Sequence, residues 1–226
     1  MNSGKKILIG FCIIILLLWI AGRLTNAIQF FALSASSNEP TLKRESYIFS
    51  SNLAKPKLLD FICFHYNTQE LGNQIWIFRL CGTEGDNIEI KNGVLFLNGK
   101  NVDAGLTLNH TFIMSNKDFN VLQDKFNPDP EQYYQIAADS FFFFTNEKFL
   151  KELNITGRKL IDKKETENAD IENIWQKKWN KDNFGPVTVP PGKYFVLGDN
   201  RDNARDSRYI GFINKDDFAG TVLGKK

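Results

Sequence analysis

Histidine, cysteine and methionine are scarce in this chain, at two, three and two among 226 residues. His65 and His110 lie far apart, and Cys12, Cys63 and Cys81 form no CxxC pair, so a metal site would have to be assembled from scattered residues. No metal and no cofactor is expected. An excess of one charge is also missing, since 28 Lys and Arg face 26 Asp and Glu. Without a net field, a basic helix or an aromatic-basic stripe, nucleic-acid binding is excluded as a function class. The length allows one sizeable core, or one core with a smaller unit attached.

What is present begins at the N-terminus. The apolar run ILIGFCIIILLLWIAG at 7–22 follows Lys5 and Lys6 and precedes Arg23. At about 1.5 Å per residue it covers roughly 24 Å against a hydrocarbon core of roughly 30 Å, and Arg23 and Leu24 can extend it by snorkelling and lengthening. A cleaved secretory signal is the rival reading, but AGRLTNA offers no small-x-small cleavage site. The expectation is therefore a retained single-pass anchor over 7–24. Two lysines before it against one arginine after it put the tail 1–6 in the cytoplasm and the remainder outside.

From 46 to 102 the segments SYIFS, LLDFICFHY, QIWIFRL and NIEIKNGVLFLNGK alternate apolar and polar residues, with Asn-Gly turn signals at Asn92 and Asn98. They predict short antiparallel strands. Cys63 and Cys81 then fall on neighbouring strands, where two buried free thiols are expected and a disulfide is the alternative. The stretch 103–187 is polar, with NPDPEQ, a mixed-charge run and helix-like spacing only near NEKFLKEL. It reads as an inserted subdomain, after which β patterning resumes. FFFF at 141–144 predicts a fully buried strand, with a membrane-dipping patch as the alternative. Trp175 and Trp179 leave interfacial seating or core packing open.

Two short stretches carry candidate chemistry. SSNEPTL at 36–42 puts Ser37 just ahead of a backbone stiffened by Pro40, and RLCGTEGDNIEI at 79–90 is a strand, a glycine turn and another strand. Each alone is ordinary. In this order, behind one anchor and followed by LGDNRDNARDSRYIGFI, they resemble the bacterial type I signal peptidases, serine peptidases that trim signal peptides from exported preproteins. The resemblance implies a mainly β fold, an antiparallel β-sheet core of the signal peptidase type with an inserted α+β subdomain and one N-terminal transmembrane helix. The corresponding units are a tail 1–6, an anchor 7–24, core parts 25–102 and 188–226, and an insert 103–187. It further implies a bacterial cytoplasmic-membrane location with the main domain on the external side, and as partners the lipid bilayer and the signal peptides of exported preproteins.

By the same resemblance Ser37 is the attacking serine, although Asn38 stands where methionine usually follows it. Asp206 and Arg208 are implied to form an ion pair that buttresses the site, with Asp199, Arg201 and Asp202 in the supporting network. The family's general base is a lysine kept neutral by desolvation. In the register WIFRLCGTEGD its position is Phe78, and the serine that holds the lysine amine is Ala204. Ala35 replaces the residue that in some relatives lends an oxyanion hydrogen bond. A serine without its base is expected to be nearly silent, because losing a base costs roughly 10⁴ to 10⁶ in rate in other serine hydrolases.

His65 is the substitute base to consider, since DFICFHY should pair with QIWIFRL. An odd sum of paired residue numbers puts His65 on the face of Phe78, an even sum on the opposite face. Lys55 and Lys57, flanking Pro56, read as solvated charges, and His110 lies in the insert. The function read from the sequence is a signal peptidase-type serine endopeptidase impaired by the absent base, with a non-catalytic peptide-binding or assembly protein on the same scaffold as the alternative.

Overall fold

The computed structural model describes residues 3–25, 27–69 and 72–225, with Ser3, Lys6, Arg23, Leu24 and Lys225 described by backbone alone. Helix α1 (Ser3–Leu24) is apolar all round, and its large side chains from Ile7 to Ile20 stand exposed. Among the described residues no helix is long and apolar enough to cross a membrane. The span expected over 7–24 is thus matched by a helix, but its sixteen-residue apolar run reaches only about 24 Å of the roughly 30 Å required.

Beyond α1 the alternating segments form antiparallel strands. β1 (Gln29–Ala32) pairs with β2 (Tyr47–Ser51), and β3 (Phe61–Thr68) forms a long hairpin with β4 (Gly72–Thr83). β5 (Asn87–Lys91), β6 (Val94–Leu97) and β7 (Lys100–Asn101) follow through two Asn-Gly turns. Asn92, Gly93, Asn98 and Gly99 all take positive φ, between 50° and 77°, the conformation that tight hairpins require and these two residue types accept.

The polar stretch then builds β8 (His110–Ser115), α2 (Asn116–Phe126), β9 (Tyr133–Ala137), β10 (Ser140–Thr145), α3 (Glu147–Leu153), β11 (Arg158–Lys159) and α4 (Ala169–Trp175). The chain closes with β12 (Phe184–Thr188), β13 (Lys193–Leu197), α5 (Ser207–Ile210), β14 (Ile213–Asn214) and β15 (Phe218–Lys225). Helical spacing near NEKFLKEL corresponds to α3, but α2 and α4 also form. Their buried stripes are only Phe119 with Leu122 and Ile171, too short to show periodicity, and side-chain caps from Ser115 and Asn168 start them instead.

Three sheets result: seven strands in the order β1-β2-β15-β3-β4-β13-β14, four as β12-β5-β6-β7, and four as β11-β8-β10-β9. The third has its own core of Phe112, Met114, Phe119, Leu122, Phe143, Leu150 and Ile155. β10 corrects the expectation of a fully buried strand, because only Phe143 and Thr145 are buried and the other three phenylalanines are half-buried. An antiparallel sheet with one covered face alternates in this way. Trp175 and Trp179 are partly buried and pack against the core, on Phe184, with Trp175 also against Phe195 and Phe212. Cys63 and Cys81 are free, buried thiols, and burial pushes each up to about 12.

Candidate active site

Ser37 lies in a loop tied at both ends, since Leu33 N–H donates to Ser46 O and Glu45 N–H donates to Leu33 O. Inside it, Glu39 N–H donates to Ser36 O and Leu42 N–H to Asn38 O, two tight turns that set Ser37 at the bend. Loop 198–208 pins this segment from the other side. Asn200 N–H donates to Ser37 O at 3.0 Å, Asn200 Nδ2 to Ser36 O at 3.2 Å, and Asn203 Nδ2 to Ser36 Oγ at 3.1 Å.

Gly198 is where the pieces converge. A Cβ added there would lie 2.5 Å from Ser37 O, 2.5 Å from the Ala204 Cβ and 3.3 Å from Phe78 Cε1. Ser37, Phe78 and Ala204 therefore surround one backbone position. Phe78 is buried among Ile62, Phe64, Leu80, Val196, Ala204 and Ile213. Such a cluster has no use for a charge and no need of a hydrogen bond. No side chain among the described residues hydrogen-bonds Ser37 Oγ.

Of the ion pairs made by loop 198–208, one closes within the loop and the others reach separate segments. Asp206 and Arg208 form a two-pronged ion pair, Nε to Oδ1 and Nη2 to Oδ2, both at 2.8 Å and both side chains within 1 % of full burial. Gly198 N–H donates to the same carboxylate at 3.0 Å, while Arg208 also donates to Arg201 O and Lys181 O. Burial opposes the Arg208 charge, but the Asp206 carboxylate outweighs it and raises the guanidinium above its usual range.

Asp199 instead takes a two-pronged contact from Arg79, Nε to Oδ1 at 2.7 Å and Nη2 to Oδ2 at 2.5 Å, and accepts from Thr41 Oγ1. This joins the loop to β4 and to the Ser37 segment. Arg201 grips Asp103 at 2.7 and 2.5 Å. Asp202 accepts from Lys181 at 2.8 Å and from Thr111 N–H at 2.7 Å. Burial would raise the Asp202 carboxyl, yet Lys181 outweighs it and holds it below its usual range. Sequence reasoning missed Arg79, Asp103, Lys181, Asn200 and Asn203. Arg79 had a signal, since it stands inside the glycine-turn motif, and so did Asn200 and Asn203, which stand inside the 198–208 motif.

The β3–β4 register settles the face of His65. Ile62 pairs with Phe78 and His65 with Ile75, an even sum of 140, so His65 points to the face opposite Phe78. It is exposed, beside Asn73. The substitute-base expectation is corrected accordingly, because β pleating alternates faces with period two. His110 is buried with Nδ1 4.0 Å from Asp202, and burial followed by the Lys159 charge lowers it to about 3, so it stays neutral.

A groove of about 450 Å³ runs past Ser37, lined by residues 32–35, Ser37, Asn38, residues 74–78 and Arg205. β13 pairs with β4 only from Arg79 onward, so the stretch 75–78 of β4 has no strand partner on this side among the described residues. A free edge facing a groove can accept an extended chain as an added strand. Among the described residues no cluster of three or more His, Cys, Asp or Glu is arranged for a metal ion.

Known proteins similar to this chain include signal peptidases. The chain is 32% identical over 146 residues to signal peptidase I P of Bacillus subtilis subsp. natto, covering 64% of this chain and 47% of that one. It is 26% identical over 196 residues to signal peptidase I of Bacillus caldolyticus, covering 85% and 75% respectively. This chain thus spans about half the length of the first relative. A solved signal peptidase I structure from Enterococcus faecalis is 24% identical, with a TM-score of 0.35, covering 76% of this chain and 98% of that one. A family model described as signal peptidase, peptidase S26, matches residues 5–224, nearly the whole chain, and the protein belongs to that family.

Proposed function

We propose that this protein is a signal peptidase I-type serine endopeptidase, held at the outer face of the bacterial cytoplasmic membrane by α1, that binds signal peptides of exported preproteins and cleaves them poorly. The observation that carries this reading is Ser37 lining a groove bordered by residues 75–78 of β4, which have no strand partner on that side among the described residues. A preprotein segment with small side chains near the cut would enter it as an added strand and bring its scissile carbonyl to the serine.

Hydrolysis then requires Ser37 Oγ to bond to the carbonyl carbon while its proton passes to a base, and later to the leaving amine. Position 78 offers an aromatic ring for that task. Binding and orientation by the groove remain, but the proton step lacks its acceptor, which in other serine hydrolases costs roughly 10⁴ to 10⁶ in rate. Asp206 with Arg208, and Asp199 with Arg79, act by holding loop 198–208 against the serine segment. The second reading, capture of peptides without cleavage, is favoured by the contact of Phe78 with Ala204, two residues that suit each other as apolar packing.

Purified full-length protein in detergent, offered a preprotein beside a Ser37→Ala variant, tests the proposal. Slow cleavage by the wild type that Ser37→Ala abolishes supports the peptidase. Tight binding with equal inactivity supports the capture reading, and absence of both binding and cleavage overturns the proposal.

A further inference from the structure

Among the described residues that line the groove past Ser37, Arg205 is the one that carries a charge, and none is an acid. Its side chain is exposed and has no ion pair or hydrogen bond among the described residues. The other arginines of loop 198–208 each hold a carboxylate, Arg201 that of Asp103 and Arg208 that of Asp206. The acids nearest Arg205 in the chain are already engaged, Asp202 by Lys181 and Asp206 by Arg208. Arg205 thus keeps five free N–H donors beside a groove without an anion.

Its backbone is held in place from both sides. Ala204 before it and Asp206 after it are buried, and the Ala204 Cβ meets Ser37 O at the Gly198 contact. The guanidinium therefore starts next to the serine and enters the same cavity. It cannot accept a proton, so it is no substitute for the missing base. The other polar groups there do not answer it: Asn38 Nδ2 is committed to Ile77 O at 2.6 Å, and the Ser37 hydroxyl is a donor with no side chain to take its proton. Two sets of donors converge on a site that lacks an acceptor.

A carboxylate satisfies both, since its two oxygens match the guanidinium fork and retain a lone pair for a hydroxyl. Much of the remaining lining is apolar, with Leu33, Ile75, Ile77 and Phe78 in it, which favours a ligand whose charge sits at its end rather than along it. We propose that the groove selects peptides with a free C-terminal carboxylate, held by the Arg205 fork with Ser37 Oγ as a further donor. This rests on the peptide-binding reading above and deepens it by naming the ligand class, chain ends produced by hydrolysis of a peptide bond rather than uncut precursors. No bond is made or broken in the step.

The test is fluorescence anisotropy on the full-length protein in detergent, using an extended peptide of small residues labelled at its N-terminus. Three forms are compared: the free C-terminal acid, the C-terminal amide, and an amide whose last residue is aspartate. The wild type should bind the free acid about tenfold more tightly than the plain amide, the size of one charge-assisted contact in an open groove. Arg205→Gln should bind acid and amide alike, at the wild-type affinity for the amide. Equal binding of acid and amide by the wild type, or a preference that survives Arg205→Gln, overturns the assignment and leaves the groove reading standing. An aspartyl amide that binds as well as the free acid also overturns it, by placing the charge on a side chain. A wild type that binds none of the three sinks the groove reading first and this assignment with it. Should Arg205→Gln fail to melt cooperatively, Arg205→Lys decides, because it keeps the charge and loses the fork: a reduced preference supports the assignment and an unchanged one overturns it.

Discussion

The ring of Phe78 and the methyl of Ala204 close over Gly198 from two sides, 3.3 and 2.5 Å from where its missing Cβ would stand. The two positions are coupled by contact, so exchanging them together differs from exchanging either alone. Phe78→Lys puts an ammonium into an apolar cluster and is expected to cost about 2–4 kcal/mol in a denaturant titration. Phe78→Lys with Ala204→Ser gives that amine a hydroxyl partner and is expected to raise preprotein cleavage by at least about a hundredfold. Cleavage at the wild-type rate in the double variant would show that more than the base is missing.

Gly198→Ala isolates the packing at the same point. The added methyl would collide with Ser37 O, a backbone atom that cannot rotate aside, and with Ala204. A loss of about 1–3 kcal/mol is expected in thermal or chemical unfolding, with a fall in peptide affinity because the Ser37 segment must shift. Unchanged stability and affinity would mean that the loop and the serine segment are not in contact in solution.

The buried pair of Asp206 and Arg208 should be far more sensitive to losing one partner than both. Asp206→Asn leaves the Arg208 guanidinium buried without its carboxylate and is expected to cost about 3–5 kcal/mol. Asp206→Asn with Arg208→Met is expected to cost less than the two single changes added together, measured as a double-mutant cycle in urea.

His110 sets an acid sensitivity. Burial lowers it from 6.5 to about 3, with Lys159 adding to the shift, so between those values the unfolded chain holds a proton that the folded chain lacks. Stability therefore rises with pH across that window and declines as pH falls below about 6.5, by up to about 1.4 kcal/mol per pH unit. Urea midpoints compared between pH 6.5 and 5 should show this slope, and His110→Gln should flatten it. Equal slopes in both proteins would mean that His110 titrates normally.

Much of the β architecture could be read from local pattern. Two Asn-Gly steps flanked by alternating apolar residues are hairpins for a reason contained in two residues, the tolerance of positive φ. Helices α2 and α4 escaped because their stripes are short and their caps, Ser115 and Asn168, are polar residues of a kind that loops also use. FFFF misled because a run of four aromatics hides the alternation that the sheet imposes on it.

For the site, the motif residues Ser37, Phe78 and Ala204 were legible only as a pattern, and their meeting at Gly198 was not. Asp199, Arg201 and Asp202 read as one cluster of neighbours, whereas each reaches a partner elsewhere in the chain: Arg79, Asp103 and Lys181. His65 lies on the strand that pairs with the one carrying Phe78, and parity of register turned it away.

The sequence by itself determined the apolar helix at the N-terminus, the hairpin turns and the balance of charge, because each depends on residues within a turn or two of one another. Tertiary structure alone decided which face His65 takes, which acid meets which base, and that the amide of Asn38 covers the edge of β4. Those outcomes depend on how distant segments fit together in one core, and burial energy, unlike turn chemistry, is a property of all the surfaces at once.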